Sequence, residues 1–96
     1  MFRNKVRPIV RGPRFYLGKI RNDIGISQLQ LAKKLDMNPS KYNELENGKR
    51  GQYMDIRLIV KLAKTLEVDL LKFIELEIAY RDEVDKANGV FPGEEI

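Results

Sequence analysis

Residues 27–48 read SQLQLAKKLDMNPSKYNELENG and fall into two short amphipathic patterns with a break of about three residues between them. The first opens with a capping box, in which Ser27 accepts from the backbone N–H of Gln30 while the Gln30 side chain reaches back to the N–H of Ser27. Leu31 and Leu35, with Leu29, are expected toward a core, and Ala32 is small where the next helix would cross. Asp36 falls in the turn, at a position expected to need positive φ, which Asp tolerates better than most residues and less well than Gly. Asn38 is a good N-cap for the second pattern, with Pro39 in its first turn. Tyr42 and Leu45, together with Met37, form its inward face, and Gly48 ends it. Ser40, Lys41, Asn43, Glu44 and Asn47 fall largely on the other side. Two helices this close in sequence meet at a steep angle, which pushes the second out from the body. A polar, exposed helix of groove-fitting size on a basic chain points to DNA reading.

The flanks extend the helical pattern. Gly12-Pro13 marks a helix start, with Pro at or near the first helical position. Leu17, Ile20 and Ile24 follow as a core stripe, and Gly25 closes that helix. Arg21 interrupts the stripe and Glu46 directly follows core Leu45, so both charges are expected to be partly buried. Lys49-Arg50-Gly51-Gln52 is a polar, basic loop. Asp55 caps a fourth helix carrying Ile56, Ile59, Val60, Ala63 and Leu66, with Leu62 alongside. Asp69 caps a fifth carrying Leu70, Leu71, Phe73, Ile74, Ile78, Tyr80 and Val84. Beyond Glu75, one side continues through Leu76, Tyr80, Val84 and Ala87 for three more turns, an extension expected to pack on a partner subunit because isolated helices are marginal in water. Asn88-Gly89 stops it, and VFPGEEI is a loose tail. The organisation is therefore a basic N-terminal arm at 1–14, a DNA-binding unit at 15–75 and a C-terminal helix extension with its tail at 76–96.

Composition narrows the function. The chain has 96 residues, enough for one small domain. No apolar run approaches the roughly 20 residues of a membrane span. With no Cys there is neither a disulfide nor a thiolate metal site, and a cytoplasmic location is expected. With no His the commonest general base and metal ligand is missing, so no enzyme, metal or cofactor is expected. The net charge of +4 is uneven: residues 1–16 carry five bases and no acid, while residues 75–96 carry two bases and seven acids. That asymmetry fits a polyanion bound on one side. Arg3, Lys5, Arg7, Arg11 and Arg14 are the candidate arm contacts, suited to phosphates or the minor groove.

The run GISQLQLAKKL, then LENGK, then LAKTLEVDL resembles the Cro and repressor type of helix-turn-helix regulator, over about residues 17–74. The resemblance implies an all-α, five-helix lambda-repressor-like DNA-binding domain, here with an extended C-terminal helix and a basic N-terminal arm. It also implies roles. Gln28 would contact a phosphate at the start of the second helix. Pro39, Ser40, Lys41, Asn43 and Glu44 would present side chains to base edges in the major groove, with Asn38 before them among the DNA-binding residues. Lys suits guanine acceptors, Asn adenine, Glu the cytosine amino group and Pro a thymine methyl. Asn47, Lys49 and Arg50 would grip the backbone. Arg21 and Glu46 would pair across the first and third helices. The chain departs from the family pattern at Asp36, usually Gly, and at Tyr42, usually a β-branched aliphatic, whose hydroxyl must then reach the rim or a partner. The loop Gly51-Gln52-Tyr53-Met54 also lacks the frequent proline.

Three functions compete. The first is a transcriptional regulator, a repressor binding a palindromic operator as a homodimer, with Leu76, Tyr80, Val84 and Ala87 as the dimer surface. The second is an antitoxin-type autoregulator that binds a toxin protein as well as DNA. The third is an interaction domain that has lost DNA binding, against which Gln28, the basic loop and the arm argue.

Overall fold

The computed structural model of the chain describes residues 12–48, 54–87 and 89. Five helices follow in order: α1 Phe15–Asp23, α2 Gln28–Lys34, α3 Pro39–Asn47, α4 Ile56–Leu66 and α5 Leu70–Ala87. The expected arm bases Arg3, Lys5, Arg7 and Arg11, the loop bases Lys49 and Arg50, and the C-terminal tail lie outside the described residues.

Side-chain caps start four of the helices. Ser27 Oγ accepts from Gln30 N (3.0 Å) and Gln30 Oε1 from Ser27 N (2.7 Å), which completes the capping box of α2. Asn38 Oδ1 accepts from the N–H groups of Ser40 and Lys41 at 2.8 and 3.3 Å, with Pro39 as the first residue of α3. Asp55 and Asp69 cap α4 and α5 through Leu58 N and Lys72 N. The first helix differs. It begins at Phe15 rather than at Pro13, and its N-cap residue, Arg14, makes no side-chain cap.

Three of the helices stop by one device. After α1, α2 and α4 a residue in the left-handed region turns the chain, and the next amide reaches back to the final turn: Ile26 N to Arg21 O, Met37 N to Ala32 O, Val68 N to Ala63 O. The turning residues are Gly25 (φ 79°), Asp36 (φ 55°) and Glu67 (φ 57°). Gly48, at φ 71°, closes α3 in the same conformation.

The core joins Leu17 of α1, Leu31 and Leu35 with their turn, Tyr42 and Leu45 of α3, Met54, Leu62 and Leu66 of α4, and Phe73 of α5. α3 packs against both α1 and α2, and α4 against α5. Ala32 is fully buried. Six apolar residues expected inward are instead exposed: Ile24, Leu29, Ile56, Leu70, Leu71 and Ile78. Ile24 lies past the end of α1. Leu29 lies two residues from Leu31, on the opposite side of the helix. Ile56 is the first residue of α4. On α5 the buried face passes through Phe73 and Glu77, which rotates Leu71 and Ile78 away from it, while Leu70 shares that face but is the first residue of the helix.

Non-glycine residues in the left-handed region carry a cost of about 1–2 kcal/mol, partly offset by the extra chain entropy that glycine loses on folding. Asp36→Gly and Glu67→Gly are each expected to stabilise the domain by up to about 1 kcal/mol, read as a rise of a few degrees in Tm. Unchanged or lower melting would show that the side chains at these turns compensate for their backbone.

Candidate nucleic-acid interface

One carboxylate holds the two helices of the central stretch together. Glu46, on the inner side of α3 and only 7% exposed, accepts four hydrogen bonds. Arg21 of α1 donates from Nε to Oε1 (3.0 Å) and from Nη2 to Oε2 (2.9 Å). Gln28 Nε2, at the start of α2, donates to Oε2 (2.9 Å), and the Tyr42 hydroxyl donates to Oε1 (2.6 Å). Arg21 also reaches Ile26 O at 2.9 Å, tying down the α1–α2 turn. The expected Arg21–Glu46 pair is present, and the Tyr42 hydroxyl finds its partner on the same carboxylate. Removing one member of such a buried pair typically costs about 3–5 kcal/mol.

From Glu46 the network runs outward. Gln28 Oε1 accepts from Asn43 Nδ2 (2.8 Å), and Asn47 Nδ2 donates to Asn43 Oδ1 (3.1 Å). The predicted site residues Gln28, Asn43 and Asn47 are thus joined in one amide chain. Each carboxamide N has a second hydrogen and each O a second lone pair, so the chain retains capacity toward a ligand. Asn38, Pro39, Ser40, Lys41 and Asn47 are exposed, while Gln28, Asn43 and Glu44 are half-buried. The first turn of α3 is open to solvent.

Arg14 requires a correction. Assigned to the basic arm as a DNA contact, it is instead fully buried. Its Nε and Nη2 donate to Oε1 and Oε2 of Glu77 at 2.9 and 3.0 Å, and its Nη1 donates to Leu45 O at 2.6 Å. The Tyr16 hydroxyl and Arg81 Nε donate to the same carboxylate, at 2.6 and 2.9 Å. The guanidinium of Arg14 is therefore turned inward, away from any phosphate. This cluster was missed in the sequence, although a signal was there. Glu77 breaks the apolar spacing between Phe73 and Tyr80, just as Arg21 breaks the stripe of α1. The run of bases before residue 15 disguised its partner.

Both buried carboxyls are held ionised. Burial alone would push the Glu46 carboxyl up, but hydrogen bonds from Arg21, Tyr42 and Gln28, and the Arg21 charge, outweigh it and hold it below the usual glutamate range. Burial opposes ionisation of Glu77 in the same way and is overcome by the hydrogen bonds of Arg14 and Tyr16 and the Arg14 charge. Burial, then the hydrogen bonds to these carboxylates, raises Tyr42 and Tyr16, so both phenols stay protonated.

Among the described residues no three acidic, His or Cys side chains are grouped to hold a metal ion, and no helix is long and apolar enough to cross a membrane. The model of the helix-turn-helix family matches residues 17–73, more than half of the chain. The chain belongs to the helix-turn-helix family. This family, of the Cro type, binds DNA and is not enzymatic. Neither the curated proteins nor the solved structures hold a match to the chain. The helix-turn-helix of this protein is the pair α2–α3, joined by the turn at Asp36 and locked by Glu46. The match ends at residue 73, short of Glu77, and begins after Arg14.

Because Glu46 and Glu77 ionise more readily folded than unfolded, their contribution is fully present above the ordinary glutamate range and is lost as pH falls below it. Acid titration of stability is expected to show a steep loss there, made shallower by Glu46→Gln or Glu77→Gln. Identical acid slopes in the wild type and both variants would contradict the assignment.

Proposed function

We propose that this helix-turn-helix protein is a sequence-specific transcriptional repressor that binds a palindromic operator as a homodimer, with α3 in the major groove. The observation that carries the reading is the open first turn of α3, with Ser40 and Lys41 exposed, backed by a helix pair that Glu46 holds rigid. A rigid helix with a polar outer face is what base reading requires. Lys41 and Ser40 read base edges. Asn43 reads with them from an orientation fixed by Gln28 and Asn47. Asn47, Lys49 and Arg50 hold phosphates, as do the arm bases Arg3, Lys5, Arg7 and Arg11.

The dimer reading rests on the C-terminal extension. Leu76, Tyr80, Val84 and Ala87 line an apolar hollow of about 520 Å³ together with Pro13 and Phe15, and Phe15 is 79% exposed. A protruding aromatic beside an apolar hollow is self-complementary under two-fold symmetry. A second copy also doubles the contact with DNA, which one helix-turn-helix cannot extend far alone. A toxin protein on the same hollow is the second reading.

Selection of duplexes from a random pool, with the oligomeric state measured on the same sample, tests this. Lys41→Ala is expected to lower affinity for the selected duplex and relax its base preference. Arg50→Ala should weaken selected and random duplexes alike and reduce the salt slope by about 1. Val84→Glu should yield a monomer. Equal effects of Lys41→Ala on selected and random DNA, or a wild-type monomer on the selected duplex, would count against the proposal.

A further inference from the structure

We propose that Arg14 is a positioning residue for the recognition helix, seating the C-terminal end of α3 through its clamp on Glu77 of α5. The proposal rests on the base-reading role given to α3. The last carbonyls of a helix have no partner within it. Here Arg14 takes two of them: its backbone N–H donates to Glu46 O (2.7 Å) and its Nη1 to Leu45 O (2.6 Å). A cation at this end also complements the helix dipole. Glu77 fixes the guanidinium plane with a two-pronged pair, and the Tyr80 ring lies over it at 4.5 Å.

Gly48 shows how closely the pieces meet. A Cβ on Gly48 would strike the Gly12 carbonyl oxygen and come within 2.7 Å of the Tyr80 hydroxyl, which itself donates to Gly12 O (2.8 Å). The end of α3 is therefore seated against both the 12–14 segment and α5. The Glu46 side chain fixes α3 to α1 and α2, and Arg14 fixes the same C-terminal turn to α5. A buried ion pair adds little stability over well-packed apolar side chains. What the Arg14–Glu77 pair adds is direction, two donors aimed at two carbonyls of the reading helix. Both partners stand outside the matched residues 17–73, so the clamp joins the C-terminal extension to the reading helix.

The test uses the full chain carrying Arg14→Met together with Glu77→Gln. The net charge is unchanged, so general attraction to phosphates is preserved. No buried charge is left unpaired, and the amide keeps an oxygen acceptor for Arg81 while its N–H can donate to the Tyr16 hydroxyl. Well below the melting transition of both proteins, affinity for a duplex selected by the wild type should fall about tenfold, while affinity for a random duplex stays within about twofold. Without DNA, amide exchange at residues 46–48 should quicken about tenfold relative to that of α4. Arg14→Lys keeps the charge opposite Glu77 but cannot reach both partners, so it should lose selectivity in the same way. It carries the test if the double variant does not fold. Retained selectivity in either folded variant overturns the proposal, with or without faster exchange. A wild type that selects no duplex sinks the base-reading assignment, and the proposal with it.

Discussion

The structure depends on the carboxylate of Glu46. Its four hydrogen bonds come from three helices, so one side chain sets the relation of α1, α2 and α3. α2 has seven residues and α3 nine, too short to be stable alone. Apolar packing of Leu31, Leu35, Tyr42 and Leu45 brings them together but is tolerant of small rotations. Directional bonds to a charge are not. The carboxylate accepts the Tyr42 hydroxyl, which explains how an aromatic fits where an aliphatic residue is usual. It also orients Gln28, and through it Asn43 and Asn47, so the inner network and the outer face of α3 are parts of one structure.

A second buried carboxylate, Glu77, works through Arg14 on the backbone of the same C-terminal turn of α3. Between them the two clusters leave α3 with its side fixed to α1 and α2 and its end fixed to α5. Each uses an arginine that reaches a backbone carbonyl as well as the acid: Arg21 to Ile26 O, Arg14 to Leu45 O. Each adds a tyrosine whose hydroxyl donates to the carboxylate. Desolvation of the charges costs energy, and the multiple hydrogen bonds offset it.

Local chemistry was the legible part of the sequence. The caps at Ser27, Asn38, Asp55 and Asp69, the stop at Gly48 and the positive φ at Asp36 each depend on residues within a few positions, and all are present in the fold. The Arg21–Glu46 pair came from a family pattern, supported by charges standing among apolar neighbours. What failed depended on phase or on long-range partners. Leu29, Leu71 and Ile78 are apolar and helical, but their helices turn a different face inward, which periodicity over two turns does not resolve. The left-handed Glu67 had no signal, since its conformation follows from the chain reversal between α4 and α5. Arg14 was unreadable as a core residue because its partner lies 63 positions away. Within the candidate site, the exposure of Ser40 and Lys41 was foreseen, and the amide chain joining Gln28, Asn43 and Asn47 was not.

The central claim is that Glu46 sets the orientation of α3 against α2. Residual dipolar couplings of the backbone amides in these two helices, compared between the wild type and Glu46→Gln, test it most directly. The amide offers a donor where the carboxylate only accepts, so it breaks the pattern with almost no change in shape. The account predicts two helices that each fit their own geometry but no longer share one alignment frame. A single common frame, unchanged from the wild type, would contradict it.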